Sequence, residues 1–417
     1  MAKNKGKNNY VPRYWFNIVP FITNVLKLNI PEELDPKSKR PMALSKLAET
    51  LPTELARQEL NSGIYGYQEK IPIPKKLQEL YCTYRETPLV RARKLEKYLK
   101  LKNTQVYFKR EDKSPIHSYK LNSSYVQAYY AKKEGVKTFV GDTGPGNWGM
   151  GMAMACKIFK LKAVIYMEKR NYLAKIDKVK VMEKLGAKVI PIETKEGTIA
   201  ASISEAIKLV NEHPKNKLSL GCLTAYSALH NTVIGVELAG QLKAKNIHPD
   251  AFVGVVGGGS SFSGFVFPLI KEYIGKADFI AVESASVPSF TKGRYRYENP
   301  DLIRLMPRIK MFTLGNRFVP KNLGASGLNY HGKNPLLSLL VKKGIVKAVS
   351  YTHNEVDPIQ DLFDKLEGIR PAAESCYAII GAMKKAQELE KKATKDDKKT
   401  VIFSLTGNAE KINLDKL

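Results

Sequence analysis

From Thr87 onward the chain alternates short apolar stretches with amphipathic ones. Val106–Phe108, Thr138–Val140, Ala163–Tyr166 and Val189–Pro191 read as strands, and helical spacing of apolar residues runs between them near 121–133, 147–159, 174–185 and 198–211. A long helix is expected over Ala225–Lys243, leading into the very apolar strand Ala251–Val256. Phe279–Val282, Val346–Tyr351 and Val401–Leu405 read as further strands. Alternation of this kind predicts an α/β fold with mostly parallel sheets. Residues 285–333 break it, being rich in Arg, Tyr and Gly without a period, and a loop of that length inside a compact domain is usually functional. The first 85 residues are punctuated by Pro12, Pro20, Pro31, Pro36, Pro41, Pro52, Pro72 and Pro74. Such a segment reads as a wrap over another surface, with short helices such as Met42–Asn61 around Pro52, and not as an independent core. There is no internal repeat.

At 417 residues the chain is long enough for two domains or two intertwined lobes. Its net charge is +28, from 68 Lys and Arg against 40 Asp and Glu. The basic residues spread over the whole chain, with local excesses only at Lys3–Lys7 and around Lys391–Lys399, a low-complexity run expected on an exposed connection. Nucleic-acid binding needs a concentrated basic face with aromatics among the charges, so no nucleic acid is expected; a Lys-rich surface suits anionic substrates or a hot cytoplasm. No apolar run approaches the ~20 residues of a membrane span, and Met1–Lys7 carries charge with no apolar stretch behind it. No membrane association and a cytoplasmic location are expected. Cys82, Cys156, Cys222 and Cys376 are far apart and the six histidines are scattered, so neither a disulfide nor a metal site is expected, and Cys156 reads as a buried thiol.

The candidate chemistry lies in loops between strand and helix. After the strand ending at Arg110 comes Asp112-Lys113-Ser114-Pro115-Ile116-His117-Ser118-Tyr119-Lys120, and a helical pattern follows. Lys120 falls on the first turn of that helix, with Ser118 placed to cap it. A lysine there, among mostly uncharged groups, could become a neutral amine and join an aldehyde, although a lysine at a helix start is more often simply solvated. Gly257-Gly258-Gly259-Ser260-Ser261 directly follows an apolar strand, and its successive N–H groups at a helix start suit a phosphate. Asp142-Thr143-Gly144-Pro145-Gly146-Asn147 offers N–H groups, a hydroxyl and a carboxylate, which suits the carboxylate end of an amino acid. Thr406-Gly407-Asn408 follows the last strand, where a hydroxyl could bond a ring nitrogen or cap the next segment. Lysine, phosphate cradle, carboxylate loop and hydroxyl together point to pyridoxal 5'-phosphate (PLP).

Nearly the whole sequence resembles the β chain of tryptophan synthase, in the second branch of that family, which lacks the usual features for binding an α subunit. The resemblance rests on Tyr14-Trp15-Phe16-Asn17-Ile18-Val19-Pro20, Glu86-Thr87-Pro88-Leu89, Lys113-Ser114-Pro115 and Ser118-Tyr119-Lys120. Thr232-Val233-Ile234-Gly235, the triple glycine, Phe312-Thr313-Leu314-Gly315 and Tyr330-His331-Gly332 extend it. Glu367-Gly368-Ile369, Pro371-Ala372-Ala373-Glu374-Ser375 and Leu405-Thr406-Gly407 complete it. It implies the PLP-dependent α/β fold (fold type II) with two lobes, each a mostly parallel sheet flanked by helices. The larger lobe is expected over 1–119 and 231–417, with the wrap 1–85, and the smaller, inserted one over 120–230.

The resemblance also implies roles. Lys120 would hold PLP and move the substrate α-proton, and Gly257, Gly258, Gly259, Ser260 and Ser261 would hold the phosphate. Thr143, Gly144, Gly146 and Asn147 would bind the substrate carboxylate. Asn147 stands where the family has a glutamine near the cofactor 3-oxygen, Glu374 matches a glutamate near the cofactor, and Thr406 replaces a serine at the ring nitrogen. The implied reaction is β-replacement, in which L-serine, or an activated serine such as O-phosphoserine, reacts with indole to give L-tryptophan in a homodimer without a stable α-subunit complex. Asp142 stands in place of the glutamate that activates indole, Pro145 in place of alanine, Tyr119 in place of histidine and His117 in place of glycine. Ser261 takes the place of asparagine and Asn329 that of arginine. These departures keep two alternatives open, an ammonia-lyase or different β-replacement, and a weakly active binding paralogue.

Overall fold

In the computed structural model, residues 11–60, 67–193, 198–320 and 324–413 are described; the basic run Lys3–Lys7 and the expected helix end at Asn61 lie outside them. Two sheets organise these residues. The larger has six strands in the order Lys347–Tyr351, Asp278–Ser284, Ala251–Val255, Lys399–Leu405, Thr104–Arg110 and Leu89–Arg91. All pair in parallel except the last, which is antiparallel to its neighbour. The smaller is wholly parallel, in the order Ala187–Ile192, Lys162–Glu168, Thr138–Thr143 and Asn216–Ser219. Helices cover both faces, so central strands are apolar on both sides: every residue of Ala251–Val255 is buried. Phe252 stacks on Phe279 and Phe108 on Phe403 across neighbouring strands.

The 174–185 pattern is the helix Ile176–Lys184, preceded by a short helix, Lys169–Ala174, that was not expected. Two other expected helices are each two. Ala225–Lys243 divides at Thr232 into Ala225–Asn231 and Val233–Lys245. There the Thr232 hydroxyl donates to the Leu229 carbonyl (2.6 Å) and accepts the Phe16 N–H (2.8 Å), tying the N-terminal wrap to the break. Met42–Asn61 becomes Leu44–Thr50 and Thr53–Glu59, parted at Pro52 as its ring requires. The strand Asn216–Ser219 was not expected, because its Asn-Lys-Leu-Ser sequence lacks a strand's apolar content. Residues 285–333 contain an antiparallel hairpin, Arg294–Glu298 with Ile309–Thr313.

The wrap is fastened to the larger sheet by buried charges. Arg85 pairs with Glu111 (2.9 Å) and Glu237 (3.0 Å), Lys109 pairs with Glu237, and Arg85 also donates to Asn122 Oδ1 at 2.9 Å. Two cations and two carboxylates balance, which makes their burial tolerable. Asn122 is two residues beyond Lys120, so this network supports the start of the helix Leu121–Lys133.

Candidate active site

Parallel strands deliver their C-terminal ends to one cleft, where α/β folds place ligands. The loops after Thr104–Arg110, Ala251–Val255 and Lys399–Leu405 of the larger sheet face those after Thr138–Thr143 and Asn216–Ser219 of the smaller. Between them lies a cleft whose empty space, open solvent at its mouth included, is about 1000 Å³. Lys120, Asp142, Thr143, Gly144, Asn147, Gly257, Gly258, Gly259, Ser261, Glu374 and Thr406 all line it. Residues nearly 300 positions apart in sequence therefore meet at one place.

Backbone bonds set the Lys120 loop against the last strand. The Tyr119 N–H donates to the Thr406 carbonyl (3.1 Å), and Ser118 bridges Gly407. Ser118 does not cap the helix: Lys120 itself holds the position before Leu121, and the Ser118 hydroxyl accepts only the Lys120 N–H at 3.4 Å. The Lys120 amine donates to the Gly221 carbonyl and lies 5.0 Å from the centre of the Tyr119 ring. Burial alone would lower its proton affinity, but Tyr119, Cys222 and Asp142 outweigh burial and the net shift is upward. The expected neutral amine is thus corrected. With Tyr119 the leading contributor, the amine is held as an ammonium and must lose a proton before attacking an aldehyde. Asp142 shifts upward as well. Burial raises its pKa to about 7, against the pull of Lys120.

At the other wall, Gly259 (φ +108°) turns the chain into the helix Ser260–Tyr273, whose first N–H groups face the glycine loop. The loop is tightly packed behind: a Cβ on Gly257 would lie 2.5 Å from the Gly327 carbonyl, and one on Gly258 2.9 Å from Cys222 Sγ. Glu374 accepts the Gly327 N–H at 3.0 Å. The Thr406 hydroxyl meets that of Ser375 at 3.0 Å. Ser260 and Gly146 stand off the wall. The Ser260 hydroxyl faces Tyr119 (3.3 Å) and the Gly221 carbonyl (3.4 Å), and Gly146 lies under the stem of Lys178. Asn329 lines a smaller neighbouring pocket with Thr143 and Gly144, and its amide nitrogen is buried without a partner. His117 is on the surface, against the Glu410 carbonyl.

Sequence reading missed the Gly221–Leu223 wall, which follows the unexpected strand, and the apolar wall of Ile199, Ile203 and Tyr330. It also missed Trp148, and Lys178, whose amine donates to Asn147 Oδ1 at 2.5 Å. None of these has a local signal; each reaches the cleft only through folding.

The cavity fits PLP. A glycine cradle with no room for side chains meets a helix N-terminus, and beside it the buried hydroxyl of Ser261 has no partner in the protein. Across from it stands a lysine, and at the third side a hydroxyl. Fold and cavity together define a PLP-dependent α/β enzyme, and the family model described as pyridoxal-phosphate dependent enzyme matches residues 82–407. The chain is 38% identical to tryptophan synthase beta chain 2 of Thermotoga maritima, over 96% of both chains. It is also 38% identical to the tryptophan synthase beta chain of Pyrococcus horikoshii, over 98% of this chain and 90% of that one. The chain belongs to the tryptophan synthase beta chain family of PLP-dependent enzymes. A hydrogen sulfide-producing enzyme from Fusobacterium nucleatum shares the fold, with a TM-score of 0.59 at 20% identity, covering 82% of this chain and all of that one.

Proposed function

We propose that the protein catalyses β-replacement on L-serine, or on an activated serine such as O-phosphoserine, with indole as the nucleophile and L-tryptophan as the product. The observation that carries this reading is the placing of Lys120 and the buried carboxyl of Asp142 in one cavity with an apolar wall. Bound PLP supplies an electron sink for the charge that develops at the substrate α-carbon.

The chain's own residues do the rest. Lys120 holds the coenzyme and moves the α-proton. N–H groups of Gly257–Ser261 and the Ser261 hydroxyl hold the phosphate. Gly144 and Asn147, which line the cavity, offer N–H groups to the substrate carboxylate, and Thr143 its hydroxyl, while Pro145 offers none and Gly146 shapes the turn behind them. Glu374, anchored on Gly327, borders the coenzyme ring. Thr406 presents a hydroxyl to the ring nitrogen. A hydroxyl does not protonate that nitrogen as a carboxylate would, and the weaker sink favours loss of the β-substituent over transamination. Ile199, Ile203, Leu220 and Tyr330 exclude water around indole, and ionised Asp142 takes the proton from its N1.

The reading includes a cytoplasmic homodimer that forms no stable α-subunit complex and binds neither nucleic acid nor membrane. Its support for the last is that no described helix is long and apolar enough to cross one. It also divides the chain into a lobe of 1–119 with 231–417 and an inserted lobe of 120–230. Asp142→Asn tests the assignment. Tryptophan formation should fall at least ~100-fold while the coenzyme's visible band stays, because proton transfer by a placed group contributes about that much. Undiminished synthesis would remove Asp142 from the mechanism.

A further inference from the structure

Lys178 carries a charge to the edge of the cavity, yet it does not line the cavity and the chemistry above makes no use of it. It lies on the helix Ile176–Lys184, and its stem crosses Gly146, where a Cβ would sit 3.0 Å from Lys178 Cβ and Cδ. Its Nζ donates to Asn147 Oδ1 at 2.5 Å. An ammonium has only protons to offer, so the amide atom that faces it is the oxygen. The NH2 of the same amide is then turned away from Lys178, and Asn147 lines the cavity. The opposite orientation would set donor against donor at Lys178, and acceptor against acceptor at an anionic ring oxygen. Burial lowers the proton affinity of Lys178 on balance, and the Glu374 carboxylate only partly opposes it.

We propose that Lys178 is a positioning residue, which locks the Asn147 amide so that its NH2 is the donor offered to the coenzyme's 3-oxygen. This rests on the reading of the cavity as the PLP site. It adds a device that no feature of the Asn147 loop itself reveals, since the partner comes from the next helix but one. Lys178→Met keeps an unbranched stem over Gly146 and removes only the donor, so the fold should survive.

The test compares the native protein, K178M, N147A and the double variant, each loaded with PLP. Two quantities are read: the pH midpoint of the coenzyme's visible band, and the coenzyme dissociation constant by fluorescence titration. A donor at the ring oxygen stabilises negative charge there, so its loss lets the neighbouring nitrogen keep its proton to higher pH. Each single variant should raise the midpoint by about half a unit or more, as one hydrogen bond implies, and weaken affinity severalfold. Because Lys178 acts through Asn147, the double variant should go no further than N147A. Native midpoint and affinity in K178M, or shifts that add in the double variant, would overturn the proposal while leaving the PLP reading intact. A native protein that binds no PLP would overturn both.

Discussion

Asp142 concentrates the residue-scale argument. Its pKa is raised to about 7 by burial, and only its ionised form can accept the indole proton. Tryptophan formation should therefore fall as pH drops through about 7, and kcat/KM measured between pH 5 and 9 should show that acidic limb. A profile flat to pH 5 would place the titrating base elsewhere. The side chain is one methylene shorter than the family's glutamate, and ~1 Å of misplacement can cost on the order of a hundredfold; Asp142→Glu should raise the rate of indole addition. Lys120→Ala should abolish both the visible coenzyme band and turnover, read by absorbance, and survival of the band would assign another lysine. Lys120 and Asp142 were legible in sequence because each falls on a connection from a strand to a helix. The upward shift of the Lys120 amine was not, since Tyr119, Cys222 and Asp142 come together around it only in the fold.

Among the elements, the glycine loop is constrained from behind as well as from the cavity. A Cβ at Gly258 would first meet Cys222 Sγ and the Leu223 N–H. Gly258→Val should displace the loop and weaken PLP affinity about tenfold or more by titration; unchanged affinity would reduce the loop to a turn. The strands of both sheets were legible from apolar runs, apart from the short edge strand Leu89–Arg91 and polar Asn216–Ser219, whose Lys217 amine bonds the Glu49 carbonyl at 3.0 Å. The helix break at Thr232 was not, because periodicity continues across it and the tertiary bond from the Phe16 N–H marks the break. Nor was the network of Arg85, Lys109, Glu111 and Glu237. Glu237→Leu should leave its cations unbalanced and lower unfolding stability by about 3–5 kcal/mol, read from denaturant melts, whereas a loss under 1 kcal/mol would mean the network is dispensable.

For the whole molecule, the cleft exists only because two parallel sheets direct their strand ends at each other. α/β alternation showed the sheets; the Pro-punctuated wrap showed itself as a wrap, with Trp15 wholly buried against the body it covers. Which lysines would stay on the surface and which would enter the site was hidden in a composition of +28. Light scattering should give twice the chain mass of 46.7 kDa for the proposed homodimer, and a single-chain mass would contradict it. The most direct test of the central claim is to supply the PLP-loaded protein with indole and serine or O-phosphoserine carrying a labelled β-carbon, and to identify the products by mass spectrometry. The account predicts tryptophan bearing the label at its β-carbon, formed only when indole is present. Labelled pyruvate in equal amount with or without indole, and no tryptophan from either amino acid, would contradict it.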